Sequence, residues 1–215
     1  AKASKAKQAQ SRVKALERME LITPPEEVAK RVFTFPQPEE LSPPIVAIEN
    51  GAVGYGGPDI LSQLELRIDQ DDRIALLGKN GEGKSTLSKL ISGRLKTSAG
   101  RLVTHNKLRI GYFAQHQLES LDLNASPILH IQRLSPTVRE QEIRDFLGGF
   151  RIQGDMATGT IRHFSGGEKA RLALCKLLLE PYNFLILDEP TNHLDIESKE
   201  ILKDALANYQ GSMVI

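Results

Sequence analysis

The chain has 215 residues, 40% of them hydrophobic and 26% charged, and its formal net charge at pH 7 is +1. This composition excludes a mainly disordered chain, and no apolar run approaches the roughly 18 residues that a membrane-spanning helix needs. The single cysteine, Cys175, excludes an internal disulfide and a zinc site built from several cysteines, and it fits a reducing compartment such as the cytoplasm.

The first 21 residues predict a helix with an excess of positive charge. Residues 1–20 carry a net charge of +4, which leaves −3 for the other 195 residues. Good helix formers dominate the segment, but its apolar stripe of Val13, Leu16 and Met19 is too narrow for a core helix. Such a segment indicates either a contact with a polyanion or a solvated spacer.

Residues 22–44 hold six of the eleven prolines and predict an extended connector that separates domains.

From residue 45 onward short apolar runs alternate with helical patterns, which predicts an α/β domain around a buried sheet. The predicted strands cover residues 45–48, 64–68, 74–77, 108–113 and 184–187. A helix is predicted over residues 84–91, with Gly93 near its end.

A mostly helical block at about 126–180 interrupts the predicted sheet. Ser126-Pro127 and Ser135-Pro136 each match an N-cap followed by proline at the first helical position, so each predicts the start of a helix. Gly148-Gly149 is expected to end the second of these helices.

Residues 78–85 have the sequence Gly-Lys-Asn-Gly-Glu-Gly-Lys-Ser, which fits the P-loop pattern G-x-x-x-x-G-K-[ST]. Its glycines let backbone N–H groups surround phosphate oxygens, and the helix that follows presents its N-terminus to the same anion. Lys84 is expected to reach the β- and γ-phosphates, and Ser85 to bind Mg²⁺. The predicted phosphate-site residues are Gly78, Asn80, Gly81, Gly83, Lys84, Ser85 and Thr86.

Two further segments carry chemistry. Asp188 and Glu189 directly follow the apolar run 184–187, at the end of a strand where open α/β sheets bind ligands. Asp188 is suited to the Mg²⁺ shell and Glu189 to polarising an attacking water. The second segment, Ser165-Gly166-Gly167-Glu168, opens a predicted helix and predicts another anion-binding helix start.

The P-loop, then Ser-Gly-Gly-Glu, then Leu-Asp-Glu-Pro occur in an order that resembles the ATP-binding cassette (ABC) ATPases over about residues 45–215. The run Glu189-Pro190-Thr191-Asn192-His193-Leu194-Asp195 resembles the ABC-F subfamily, whose members carry two cassettes and act on ribosomes. The run at 164–171 resembles the signature of that subfamily's second cassette. Residues 1–21 resemble the end of the linker between the cassettes. The resemblance implies a P-loop cassette with a mixed core sheet, an antiparallel β subdomain and a helical signature subdomain at about 126–180.

The resemblance also implies roles for individual residues. Tyr55 would stack on adenine, and Gln115, with Gln117 as the alternative, would contact Mg²⁺ and the attacking water. Catalysis would depend on Glu189, Lys84 and Gln115. Asp195 would contact the opposite cassette. The Mg²⁺ ligands would be Ser85, Gln115 and Asp188. The signature residues Ser165, Gly166, Gly167 and Glu168 would cap the ATP that the other cassette binds.

Three departures from the family pattern stand out. Glu82 occupies a P-loop position that is usually small, and we expect its carboxylate to face solvent near Lys79, with little effect on ATP affinity. The family's switch histidine is expected beyond residue 215. Only one cassette is present, so we expect this chain alone to hydrolyse ATP poorly.

The implied partners are the other cassette and a ribosome, with ribosomal RNA and transfer RNA near the basic helix and no membrane partner. The candidate RNA contacts are Lys2, Lys5, Lys7, Arg12 and Lys14. Lysine and arginine there would bind phosphates without reading sequence. Two alternatives stay open: the ATPase subunit of a membrane transporter, and a nucleotide-binding module that is inactive without a second cassette.

Overall fold

The computed structural model describes residues 33–114, 121–192 and 194–215. The predicted basic helix, most of the first half of the connector, and the candidates Gln115 and Gln117 lie outside these residues. None of the described helices is long and apolar enough to cross a membrane.

The described elements alternate between strands and helices along the chain. The strands are β1 (Val46–Val53), β2 (Leu61–Ile68), β3 (Arg73–Ile74), β4 (Ala99–Thr104), β5 (Ile110–Ala114), β6 (Phe184–Asp188) and β7 (Ser212–Val214). The helices are α1 (Lys84–Ile91), α2 (Pro127–Leu134), α3 (Glu140–Gly148), α4 (Asp155–Thr158), α5 (Gly166–Leu177) and α6 (Ile196–Ala207), with a 3₁₀ turn at Ile161–His163.

The strands form two separate sheets. The first has the order β3-β7-β6-β5 and is parallel throughout, and the second has the order β2-β1-β4 and is antiparallel. The α/β cassette fold and the antiparallel β subdomain are confirmed, but the core sheet, expected to be mixed, is parallel among the described strands. β4 was not predicted from the sequence because most of its side chains are exposed and give no apolar pattern.

The central strand β6 has buried residues on both faces. Leu185 and Leu187 pack into a hydrophobic cluster shared with the helical block. Phe184 and Ile186 pack into a second cluster shared with α1 and the antiparallel sheet. A strand covered on both faces is typical of parallel sheets and explains its unbroken apolar run. This register also places Asp188, which continues the alternation of Phe184 and Ile186, on the α1 side.

The helical block begins as predicted, but its second helix does not. Ser126 caps α2, and its hydroxyl accepts a hydrogen bond from the Leu129 N–H at 3.2 Å. The predicted N-cap at Ser135 is wrong, because the Ser135 N–H still donates to the carbonyl of Ile131 in α2. A turn follows, and α3 starts only at Glu140 and ends as expected at Gly148.

The second half of the connector lies against the cassette. Residues 33–44 contain no helix or strand, in line with their prolines. The Phe33 ring nevertheless packs on Phe150, with centroids 4.4 Å apart, and the Phe35 ring packs on Tyr209 at 5.0 Å. The Leu41 N–H donates to Gln70 Oε1 at 2.9 Å. These contacts make this half of the connector a strap on the domain surface.

We expect the strap to contribute measurably to stability. Phe35→Ala removes a buried ring and should lower the free energy of unfolding by about 3 kcal/mol, as for other large-to-small core substitutions. Thr34→Ala changes the exposed neighbouring side chain and should stay within about 0.5 kcal/mol. Urea unfolding followed by circular dichroism measures both, and equal midpoints for the two variants would show that the strap does not stabilise the domain.

Candidate nucleotide-binding site

The parallel sheet gathers the predicted site residues at one edge. Because β3, β5 and β6 run in the same direction, the chain segments that follow them leave from the same edge. The P-loop lies between β3 and α1, and Glu189 directly follows β6. Ala114, the last residue of β5, is paired with Asp188. The sheet therefore accounts for the convergence of segments that are far apart in sequence.

The P-loop has the backbone geometry of an anion cradle. Gly81 and Gly83 have φ values of 88° and 95°, in the left-handed region that glycine adopts without strain. Gly83 is also the N-cap of α1, and it supplies no side-chain cap. The first N–H groups of α1 therefore have no side-chain partner from the cap and can receive an anion.

The Lys84 ammonium group lies over this loop. Its Nζ donates to the backbone carbonyls of Gly78 at 2.6 Å and Lys79 at 2.9 Å. Ser85, in the first turn of α1, is exposed, whereas the next residue, Thr86, is buried. Gly78 and Asn80 are exposed on the loop. The motif thus presents the Lys84 ammonium group, the accessible Ser85 hydroxyl and a run of backbone N–H groups.

Tyr55 lies beside α1. The Lys89 ammonium group donates to the Tyr55 hydroxyl at 3.3 Å and lies 5.4 Å from the ring centroid. Hydrogen bonds with Thr86 and Lys89 hold the pKa of Tyr55 below its usual range. More than half of the side chain is exposed. The exposed part of its ring can therefore stack on a planar group bound next to the P-loop.

Glu82 interacts with the P-loop backbone. Its side chain is exposed, and Oε2 accepts a hydrogen bond from the Lys79 N–H at 2.8 Å. The carboxylate therefore lies close to Lys79, through that residue's backbone.

Asp188 has a neighbour that sequence reasoning missed. The Tyr112 hydroxyl donates to Asp188 Oδ2 at 3.4 Å, a long contact. The Arg94 guanidinium lies 4.1 Å from the centroid of the Tyr112 ring. Burial and the charge of Asp188 raise the pKa of Tyr112 to about 12, so its hydroxyl keeps the proton at neutral pH. Tyr112 and Asp188 are diagonal neighbours on one face, a relation that only the pairing of β5 with β6 reveals.

Glu189 has an unusual backbone for a residue with a side chain. Its φ is 51°, in the left-handed region, and its carboxylate is exposed. Oε2 accepts a hydrogen bond from Asn192 Nδ2 at 2.6 Å. Asn192 belongs to the run at 189–195, and this contact shows that it touches the predicted base.

The signature segment begins a helix with a capping box. Ser165 is the N-cap of α5: its hydroxyl accepts from the Glu168 N–H at 3.3 Å, and Glu168 Oε2 accepts from the Ser165 N–H at 2.7 Å. Hydrogen bonds from Ser165 hold the pKa of Glu168 below its usual range. Ser165, Gly166 and Gly167 are exposed, so the helix start remains accessible.

Asp195 caps α6 and also faces the signature helix. Its Oδ1 accepts from the Ser198 N–H at 2.8 Å, and Oδ2 lies 3.5 Å from Arg171 Nη1 of α5. Burial favours the protonated acid, but the hydrogen bonds from Ser198 and the charges of Arg171 and Arg151 lower the pKa of Asp195 overall. Arg171 is the last residue of the signature run at 164–171, and its pairing with Asp195 links two predicted motifs.

Comparison with known proteins places this site in a family. A family model described as ABC transporter matches residues 61–192, more than half of the chain, and a second model with the same description matches residues 1–35. A solved structure described as an ABC transporter ATP-binding protein from Pyrococcus furiosus has a TM-score of 0.60 and 22% identity. The match covers 79% of this chain and 90% of that one, and it supports the fold.

Curated relatives match nearly the whole chain. This chain is 49% identical over 215 residues to "Probable ATP-binding protein YheS" of Escherichia coli K12, and the match covers 34% of that protein. It is 40% identical to "ATP-binding cassette sub-family F member 3" of Mus musculus and 38% identical to "Protein GCN20" of Saccharomyces cerevisiae, covering 30% and 28% of them. The predicted resemblance to the F subfamily is confirmed, and the chain spans about a third of the length of these relatives.

We expect Glu82 to have little effect on nucleotide affinity. Its carboxylate is exposed, where one unit charge 4 Å away changes the interaction energy by only about 1 kcal/mol in water. Glu82→Ala should therefore change the Kd for ATP, measured by isothermal titration calorimetry, by no more than about fivefold. Glu82→Gln keeps an acceptor for the Lys79 N–H and is the matched control. Tenfold tighter binding in the alanine variant would show that the carboxylate competes with phosphate.

Proposed function

Because this chain belongs to the ABC transporter family of ATP-binding cassette proteins, we propose that it binds Mg²⁺ and ATP and is the second cassette of a two-cassette ATPase. The observation that carries this proposal is the meeting of the P-loop, Asp188 and Glu189 at the carboxyl edge of one parallel sheet. A P-loop alone would support nucleotide binding. The adjoining acidic pair adds the groups that hydrolysis requires.

The chemistry of the site fits a magnesium nucleotide. Backbone N–H groups of the P-loop and the Lys84 ammonium would bind phosphate oxygens, and adenine would stack on Tyr55. Mg²⁺ prefers oxygen ligands and usually takes one or two from the protein, with the rest from phosphates and water. The Ser85 hydroxyl and the Asp188 carboxylate are such ligands. Gln115 follows Ala114, the partner of Asp188, and is proposed as a further ligand.

Glu189 is the proposed general base. It directly follows the proposed metal ligand Asp188, and its carboxylate is exposed at the same sheet edge. In phosphoryl transfer the protein mainly positions the reactants and stabilises charge, with one residue orienting the attacking water. Lys84 would stabilise negative charge on the phosphates, while Glu189 would orient and deprotonate the water.

The signature helix start and Asp195 are proposed to serve a second cassette. The start of α5 is accessible and carries backbone N–H groups, a hydroxyl and no bulky side chain at Gly166 and Gly167. It would cap an ATP molecule bound by the other cassette, and Asp195 would lie at the same interface. The chain covers only about a third of its relatives, which leaves room in them for a second cassette. The chain alone is therefore proposed to be weakly active.

We further propose that the two-cassette protein acts on ribosomes in the cytoplasm. Support comes from the resemblance to the F subfamily and from the positive charge of residues 1–20. Lysine and arginine side chains bind RNA phosphates mainly through charge, so the affinity would fall as salt rises. The proposed RNA contacts are those named in the sequence analysis.

Replacing the proposed base should separate binding from turnover. Glu189→Gln in the two-cassette protein should bind ATP with unchanged affinity and lower the hydrolysis rate at this site by about 10²–10⁴-fold, the usual contribution of a general base. Nucleotide binding and phosphate release measure the two effects. Glu142→Gln, an exposed glutamate of α3, is the control and should hydrolyse ATP normally. Normal turnover in Glu189→Gln would remove Glu189 from the proposed role.

The proposed partner is tested by co-sedimentation. The Glu189→Gln protein should pellet with ribosomes when ATP is present and remain in the supernatant without nucleotide, because ATP would hold the two cassettes closed. Lys84→Ala, which should bind ATP poorly, is expected to lose this ATP dependence. Failure to pellet while ATP binding is intact would overturn the ribosomal role and favour a membrane transporter or another partner.

A further inference from the structure

We propose that Asn192 is a positioning residue for Glu189, whose side-chain amide holds the carboxylate in the orientation that faces the attacking water. This inference rests on the proposed function, because it assigns a residue that acts through the proposed base. The contact that carries it joins Asn192 Nδ2 to Glu189 Oε2 at 2.6 Å.

A four-residue turn brings the two side chains together. The Asn192 N–H donates to the Glu189 carbonyl at 3.1 Å, which closes a turn whose second residue is Pro190. Proline at this position fixes φ in the range that such turns require. The turn is therefore closed by backbone atoms and needs no side-chain contact to form. The amide of Asn192 is available to act on Glu189 instead.

The backbone of Glu189 does not by itself fix the orientation of its carboxylate. Its φ of 51° points the side chain away from the regular direction of a strand residue. The side chain is exposed, so packing does not select one rotamer. Glutamate has several rotatable bonds, and an unrestrained carboxylate would spend most of its time in other orientations. A short hydrogen bond to one carboxylate oxygen favours one of these orientations.

The chemistry of an amide suits this task. A side-chain amide is neutral and does not give up its proton. It therefore orients the carboxylate and leaves its negative charge intact, whereas an ammonium or guanidinium group would neutralise that charge. Asn192 contacts Oε2 and leaves Oε1 for a water. Asn192→Asp has nearly the same shape but supplies only acceptors and places a second negative charge beside Glu189. It is therefore the most specific disruption of the contact.

The experiment compares turnover with affinity in the two-cassette protein. We expect Asn192→Ala and Asn192→Asp to lower kcat about tenfold, an effect of the size expected for one hydrogen bond to a charged group. KM for ATP and the melting temperature should stay near the wild-type values. Thr191→Ala, in the same turn, and Asn208→Ala, an exposed asparagine at the end of α6, are matched controls and should retain wild-type kcat.

A double variant and a spectrum test the coupling directly. In the Glu189→Gln background, Asn192→Ala should cause no further loss of turnover, because the residue acts through Glu189. In nucleotide-free protein, Glu189→Gln should shift the side-chain NH₂ resonances of Asn192. Wild-type kcat in both Asn192 variants would overturn the inference. A loss of kcat accompanied by a lower melting temperature would also overturn it, because the loss would then reflect reduced stability. Normal turnover in Glu189→Gln alone would instead overturn the proposed role of Glu189.

Discussion

The parallel pairing of β6 with its neighbours is the constraint on which the candidate site depends. β6 is buried on both faces, between the helical block on one side and α1 with the antiparallel sheet on the other. Burial of the four apolar residues of this strand fixes its register, since a slip of one residue would exchange the two faces. That register decides where Asp188 points and which residue of β5 lies next to it. The P-loop reaches the same edge because β3 runs in the same direction.

Two helix starts in this cassette solve the same physical problem differently. The first N–H groups of a helix have no partner within the helix. At α1 the cap is Gly83, which has no side chain, so these groups are left for an anion. At α5 the capping box of Ser165 and Glu168 satisfies two of them within the protein. The first start is thus built to bind phosphate within one cassette. A phosphate bound at the second must add to, or replace, contacts that already exist.

Much of this arrangement was predictable from sequence because local signals carried it. The P-loop spacing is typical of a phosphate-binding loop, and the apolar run of β6 is typical of a buried strand. The helix α1 was predicted with its observed bounds. Ser126 was predicted as a cap by its pairing with Pro127, and the structure confirms it. The same signal failed at Ser135 because α2 continues to that residue, so tertiary context decided between a helix start and a helix end.

Contacts between distant residues could not be predicted in the same way. The pairing of Tyr112 with Asp188 depends on which strands are neighbours, and the pairing of Arg171 with Asp195 depends on how two helices meet. The strap over residues 33–44 was expected to be a simple connector, because its prolines determine its local shape and not its packing. The link between Asn192 and Glu189 is short in sequence, but it required the observed turn to be recognised.

The most direct test of this account is a crystal structure of the chain with Mg²⁺ and a non-hydrolysable ATP analogue. We expect the phosphates to lie in the P-loop against Lys84, the metal to contact Ser85 and Asp188, and the carboxylate of Glu189 to face the γ-phosphate with Asn192 beside it. A nucleotide bound away from this edge of the sheet, or a metal without Asp188 in its shell, would contradict the central claim.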